Sequence, residues 1–421
     1  MPVTIFASRL PGLRPLLFCL LLAFFLAPSA LPAQPQRTTK YTLPPDKLHK
    51  AIEYAHARNW LYFISQIYAI ATLVAILALG LAAKFRDWAE AASRRRFFQA
   101  MVFVPLLLFT NDLLNLPLGI YSQHLERIFQ QSIQSWPSWF WDWAKGELLT
   151  VLLSILLAFL LYAVIRRSPS RWWFYFWLAS LPIIFTLAFL EPFIVEPLFY
   201  KFEPLSKHHA ALVDDLEKVV AHGGLAIPPE RMFEMLASEK VTSLNAYVTG
   251  FGASKRVVIW DTTLQKLTTP EVLSVFGHEM GHYVLGHVRN SIILAAIFSL
   301  LLLYAGYRAL LWLLRRWGAR WQIRGLTDWA SLPALLLIAS VLSFFSQPAV
   351  NGYSRWQEHQ ADVYGLEIIR GIVPDPAEVT AHTFQVLGEE GLDEPDPNPF
   401  IEFWTYTHPS ISERVTFSST Y

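Results

Sequence analysis

The 421-residue chain is 54% hydrophobic and only 16% charged, against about 25% charge for an ordinary soluble domain, so much of it must face lipid. A formal net charge of +1, with no basic patch carrying interleaved aromatics, gives no footing for a nucleic-acid partner. The single cysteine, Cys19, excludes intramolecular disulfides and a thiolate metal site.

Residues 1–33 carry Arg9 and Arg14, then an apolar run from Leu16 to Leu26, then small residues and proline up to Ala33. This pattern is that of a secretory signal peptide, or of a slightly short first transmembrane helix. Either way residue 34 starts on the outer side. Phe18 is too bulky for the residue before a lipidated cysteine, so Cys19 is read as filler. A polar segment with mixed charge follows at 34–59, where Pro44-Pro45 precedes an amphipathic helix. Apolar runs long enough to span a bilayer are expected at 60–83, 97–120, 147–165 and 172–195. Asn111 and Asp112 interrupt the second of these. They either line a water-filled cavity or hydrogen-bond between helices.

From 196 to 290 the composition becomes that of a soluble domain. A helix is expected at 206–222, with Leu212, Leu216 and Val219 on one face and Gly223-Gly224 ending it. Strands are expected at 231–237, 242–249 and 256–261, the last two joined by a turn at Gly250–Ser254. The next helix is introduced either by a Thr268/Glu271 capping box or by Thr269 with Pro270 at the first helical position. It is expected to run without a break into a span at 291–314. A further span covers 330–347, Pro348 marks a kink or restart, and 349–421 form a second soluble piece.

The chemistry sits in His278-Glu279-Met280-Gly281-His282. Residues four apart share a helix face, so the two imidazoles can bind one metal ion while Glu279 faces its open position. A zinc hydrolase needs a third protein ligand. Glu358 is the best candidate, because Asp362, four residues on, can support a ligand histidine from behind. His359 is the runner-up, and Glu367 points elsewhere. A metzincin-type third histidine would fall at Val288, so His287, one residue early, is read as a packing or interface residue. Both metal-bearing helices would be prolongations of spans.

Several segments together resemble the CAAX prenyl protease 1 family of integral-membrane zinc metalloendopeptidases, which remove the last three residues of prenylated proteins. They are His278 through His287, Ser243 through Phe251, Lys255-Arg256-Val257-Val258, Pro197 through Phe202, Ser354 through Asp362, and His408-Pro409 with Arg414. The resemblance covers roughly residue 40 to the C-terminus. It implies a mainly α membrane protein, with a ring of six to seven transmembrane helices around a polar chamber and a zincin-like α+β catalytic domain split by two spans. The expected division is 1–33 signal peptide or first transmembrane helix, 34–195 transmembrane bundle with a polar N-terminal segment, and 196–290 first catalytic part with the H-E-x-x-H helix. Residues 291–348 would form two transmembrane helices and 349–421 the second catalytic part with the third zinc ligand.

By the same resemblance, His278, His282 and Glu358 ligate one Zn2+ per chain, and Glu279 is the general base and later the proton donor. Asp362 orients a ligand histidine. His408 and Arg414 steady the substrate or the oxyanion, and Asn245, Ala246 and Tyr247 lie on the strand along which a peptide substrate binds. A heat-shock HtpX-type quality-control protease shares the metal motifs but is generally shorter with fewer spans. A transporter that merely binds zinc would not require Glu279 beside His278.

Arginines and lysines crowd the short loops at 84–96, 166–171 and 315–324, which makes those loops cytoplasmic by the positive-inside rule. The catalytic pieces would then face the periplasm of a bacterial inner membrane, where an unprenylated peptide or membrane protein would be the expected substrate.

Overall fold

The computed structural model describes residues 41–250 and 255–421. The leader or first span expected at 1–33, and most of the turn expected at Gly250–Ser254, lie outside the described residues. The N-terminal half is helical: α1 (Pro45–Ala78), α2 (Leu81–Ala92), α3 (Arg96–Ile128), α4 (Trp136–Arg167), α5 (Trp172–Ile194) and the short α6 (Glu196–Phe199). The middle holds β1 (Phe202–Pro204), α7 (Ala210–His222), β2 (Met232–Met235), β3 (Ala246–Thr249), β4 (Arg256–Trp260) and α8 (Asp261–Lys266). Then come α9 (Thr269–Val284), α10 (His287–Trp317), α11 (Leu332–Ile368), α12 (Pro376–Gly391), α13 (Pro399–Thr405) and α14 (Ile411–Ser418).

Among the described residues, 6 helices are long and apolar enough to cross a membrane: α1, α3, α4, α5, α10 and α11. Each packs on the next, and α11 packs back on α1, which closes them into a ring. A buried, mostly aliphatic cluster packs these helices together around a few large rings. Trp329 is fully buried, with its ring 4.5 Å from Tyr162 and 6.1 Å from Phe103, and the Tyr162 hydroxyl is hydrogen-bonded to Ser331 at 2.7 Å. Arg86 on α2 pairs with Asp328 at 2.8 Å, both nearly buried. Arg324 reaches Glu90 and Asp87 at 2.7 and 3.0 Å. The C-terminal end of α4 and the segments following α1 and α10 therefore meet at one end of the ring.

Helix boundaries shift where glycine or proline acts differently from its usual punctuation. The run expected at 60–83 breaks at Gly80, whose φ of 69° is left-handed, and the basic stretch after it is largely α2. Pro348 neither ends nor restarts its helix, and α11 passes through it for 37 residues in all. The metal helix, in contrast, does not continue into the next span. It stops at Val284, Gly286 turns left-handed at φ 71°, and α10 starts afresh at His287. Only α11 is a prolongation of a span.

The sheet has the order β1-β2-β4-β3, with β2 parallel to β4 and the other pairs antiparallel. Its alternation is two-sided. Val257 and Ile259 face a core of Leu216 and Val219 from α7, Phe276 and Met280 from α9, and Ile368 beyond them. Val258 faces Met235 and Ala237 on the other side. Full burial of each such aliphatic or aromatic side chain is worth about 1.5–3 kcal/mol, and this core fixes α9 against the sheet.

Candidate active site

Helix α9 begins where the sequence left two options, and the capping box is the one formed. The Thr268 N–H donates to Glu271 Oε2 at 2.7 Å, with Pro270 in the first turn. The helix then meets α11 at backbone distance. A Cβ at Gly281 would sit 3.1 Å from Ala361 Cα, and one at Gly365 would sit 2.8 Å from the His278 backbone nitrogen. At Gly365 a side chain would force the backbones apart and at Gly281 it would crowd them, and the approach the two glycines permit brings the carboxylates of α11 onto the imidazoles of α9.

The resulting cluster is tight. The Nε2 atoms of His278 and His282 are 3.2 Å apart. The Glu358 carboxylate lies 3.2 Å from the former and 3.4 Å from the latter. One ligand atom from each residue falls within 4.8 Å of the others. Two nitrogens each 2.0–2.1 Å from a tetrahedral zinc would lie about 3.3 Å apart, so the imidazoles are set for a shared ion. Glu358 Oε2 is buried and accepts no hydrogen bond, a costly state for a carboxylate unless a cation completes it. The donor set of two nitrogens and one oxygen fits a metal that keeps an open position.

Behind the ligands, Asp362 is 2% exposed. It sits 2.8 Å from His278 Nδ1, which places the proton on Nδ1 and leaves the Nε2 lone pair for metal. Arg414 holds the same carboxylate through Nε at 3.0 Å and Nη2 at 2.6 Å, and its guanidinium lies 4.0 Å from the Phe384 ring centre. Burial alone would lower the His278 pKa, but the neighbouring carboxylates of Asp362 and Glu358 outweigh it and hold the imidazole up at about 9. Burial raises the Glu279 carboxyl against the pull of His278 and His282.

His408 Nε2 stands 3.4 Å from Glu358 Oε2, and its Nδ1 is 2.9 Å from the Thr407 hydroxyl. A cavity of about 810 Å3 opens in front of the cluster, and Asn245, Ala246, His278, Glu279, His408 and Arg414 are on its wall. Tyr247 is not on that wall; its hydroxyl donates to Glu196 at 2.9 Å on the far side of the sheet. The His359 ring packs on Phe417 at 4.8 Å, away from the cluster. Glu367 accepts from the Tyr421 hydroxyl. Asn111 is drawn into an interhelical contact, with its Oδ1 3.3 Å from the Thr72 hydroxyl.

One neighbour of the cluster escapes a reading by spacing. His287 is 3% exposed, and its Nδ1 lies 3.1 Å from His282 Nδ1. The packing half of the reading fits this burial, and the packing is against a ligand candidate. The signal for it is the Leu285-Gly286 pair, where a glycine can break the helix and fold the next residue back.

A ring of membrane helices carrying an H-E-x-x-H helix against a glutamate-bearing one defines an integral-membrane metalloprotease. The comparisons with known proteins make that specific. The model of peptidase family M48 matches residues 206–419, and the model described as CAAX prenyl protease N-terminal, five membrane helices, matches 29–201. The chain belongs to peptidase family M48. It is 36% identical over 379 residues to the uncharacterized metalloprotease YhfN of Bacillus subtilis, covering 89% of this chain and 85% of the relative. A CAAX prenyl protease 1 homolog of Arabidopsis thaliana is 25% identical, over 91% of this chain and 90% of its own. The crystal structure of S. mikatae Ste24p superposes with a TM-score of 0.76 at 21% identity, covering 96% of each chain. The chain acts on peptide or protein substrates from within a membrane and uses a metal to do so.

Proposed function

We propose that the chain is a zinc endopeptidase in which His278, His282 and Glu358 hold one zinc ion and Glu279 handles the protons. The observation that carries this is the Glu358 carboxylate, buried 3.2 and 3.4 Å from two converging Nε2 atoms with one oxygen left without a hydrogen bond. When bound there, zinc supplies Lewis acidity toward a carbonyl oxygen and toward water. Glu279, on the cavity wall beside both imidazoles, takes a proton from the attacking water and delivers it to the leaving amine. Its burial raises its pKa, which suits both directions of transfer.

His408 reaches the cavity and is placed to donate to the carbonyl oxygen as that oxygen gains charge. Arg414 serves the same end through Asp362, whose carboxylate it locks against His278. Asn245 immediately precedes β3 and Ala246 opens it, and β3 is one of the two edge strands of the sheet. An extended peptide beside β3, with Tyr247 bracing the strand from behind, would reach both Glu279 and His408. Residues 196–290 and 349–421 would then act as one catalytic unit interrupted by the spans at 291–348, with 34–195 completing the membrane bundle.

The orientation we infer is site-outward, in a bacterial inner membrane. The Arg-rich segments meet at the end of the ring where α11 begins, and Glu358 lies 26 residues along that helix. At 1.5 Å per residue this is roughly 39 Å, more than the about 30 Å of hydrocarbon. The positive-inside rule thus supports a periplasmic site. The relatives named CAAX prenyl protease point to peptide bonds near the C-terminus of membrane-associated proteins. Purified Glu279→Gln protein should keep its zinc and lose about 10²–10⁴-fold in peptide hydrolysis; hydrolysis within about threefold of the unaltered protein would overturn the assignment.

A further inference from the structure

We infer that His287 and Gln360 form a hydrogen-bonded relay that fixes the ring orientation and tautomer of His282, and thereby the hold on the metal. The inference rests on the zinc reading above and names two positioning residues that neither the motif nor the comparisons assign.

On an unbroken helix, successive residues turn by about 100°, so a residue five beyond His282 would lie about 140° round the barrel and could not touch it. The break at Gly286 changes this. With φ at 71°, Gly286 ends α9 and starts α10 in a new direction, and His287 folds back so that its Nδ1 lies 3.1 Å from His282 Nδ1. The other ring nitrogen, His287 Nε2, is 3.1 Å from Gln360 Oε1 on α11. The His287 backbone is also pinned: its carbonyl accepts from Gln357 Nε2 at 3.2 Å, and the Gln357 side chain in turn accepts from Ser291 at 3.0 Å.

Once His282 Nε2 is reserved for the metal, proton placement along this chain has one solution. If His287 donated from Nδ1 to His282, its Nε2 would present a lone pair to the Gln360 carbonyl oxygen, and His282 would carry its proton on Nε2, the atom aimed at Glu358 and His278. With the direction reversed, every contact is satisfied. His282 Nδ1–H donates to His287 Nδ1, His287 Nε2–H donates to Gln360 Oε1, and His282 Nε2 keeps a free lone pair. The two ligand histidines are thus oriented by unlike means. Asp362, an anion backed by Arg414, sits behind His278, while a neutral imidazole backed by an amide sits behind His282.

Buried at 3% exposure, His287 could also matter for packing alone, and two substitutions separate the roles. His287→Phe keeps the ring and removes the acceptor. His287→Asn loses the ring but puts an acceptor close to the position of Nδ1. Zinc release from each purified full-length protein to a chromogenic chelator is the readout, with the unfolding midpoint recorded alongside. A positioning role predicts zinc affinity down by about 10–100-fold in His287→Phe and within about threefold of the unaltered protein in His287→Asn. Gln360→Met, on the half-buried end of the relay, should weaken zinc several-fold without lowering the unfolding midpoint. Zinc retention in His287→Phe or in Gln360→Met equal to that of the unaltered protein, or His287→Asn losing zinc as readily as His287→Phe, overturns the relay. Should either His287 protein fail to fold, the Gln360→Met result decides alone. Absence of stoichiometric zinc from the unaltered protein would instead refute the zinc reading itself.

Discussion

Replacing Asp362 by Asn tests the packing of the site independently of catalysis. The carboxylate is 2% exposed and makes three contacts: His278 Nδ1 at 2.8 Å, and Arg414 at 2.6 and 3.0 Å. An amide can keep at most part of this set, because its NH2 end cannot accept from the guanidinium. Arg414, itself 9% exposed, is left a buried cation with no anion opposite it but the more distant Glu358 and Glu279. Breaking a buried pair from one side costs about 3–5 kcal/mol. Equilibrium unfolding of the detergent-solubilised protein, with metal chelated so that binding energy does not intrude, should show a loss of that order. Removing the stranded charge as well, in Asp362→Asn with Arg414→Met, should recover about 1–3 kcal/mol of it. If Asp362→Asn unfolds within about 0.5 kcal/mol of the unaltered protein, or if the second substitution recovers nothing, the pair does not anchor the site as the distances indicate.

Gly365→Ala would drive a Cβ to 2.8 Å from the His278 backbone nitrogen. The two helices must part, at a cost of about 1–3 kcal/mol, and zinc analysis of the purified variant should show the ion lost or weakened; full zinc occupancy would contradict the account of the close approach. The pH dependence of the metal-free protein follows from His278. Its pKa is raised from 6.5 to about 9, so the stabilisation is complete below pH 6.5 and fades as pH climbs through 9, by an amount on the order of 3 kcal/mol. Chelated protein should therefore unfold more easily at pH 9.5 than at pH 6.5, with the difference abolished in His278→Asn. Zinc must displace that proton, so zinc affinity should rise between pH 6.5 and 9 and then level off, as competition against a chelator of known pH dependence would show.

The membrane character, the number of spans among the described residues and the soluble pieces between them were legible because apolar length is a one-dimensional property. Trp172–Ile194 was delimited to within one residue by its apolar run alone. The pairing of His278 with His282 was legible too, since four residues along a helix is a fixed geometry. Long-range placement was not. That α9 and α11 touch backbone to backbone depends on Gly277, Gly281 and Gly365, and the Gly277/Gly281 spacing signals close helix packing without saying which helix is the partner. The role of His287 hung on a single left-handed glycine, and a periodicity argument applied straight through Gly286 puts the histidine on the wrong face. β1 was missed because a three-residue edge strand ending in Pro204 carries almost no pattern. Tyr247 is placed beside the peptide by the family resemblance, and a motif match does not say that its side chain crosses to Glu196.

The central claim is that two distant stretches of chain close on one ion. Zinc-edge anomalous diffraction from crystals of the purified protein tests it most directly. The account predicts a single peak per chain, about 2.0–2.2 Å from His278 Nε2, His282 Nε2 and a Glu358 oxygen. A peak that omits Glu358, or no peak at the imidazoles in protein that still hydrolyses peptides, would contradict it.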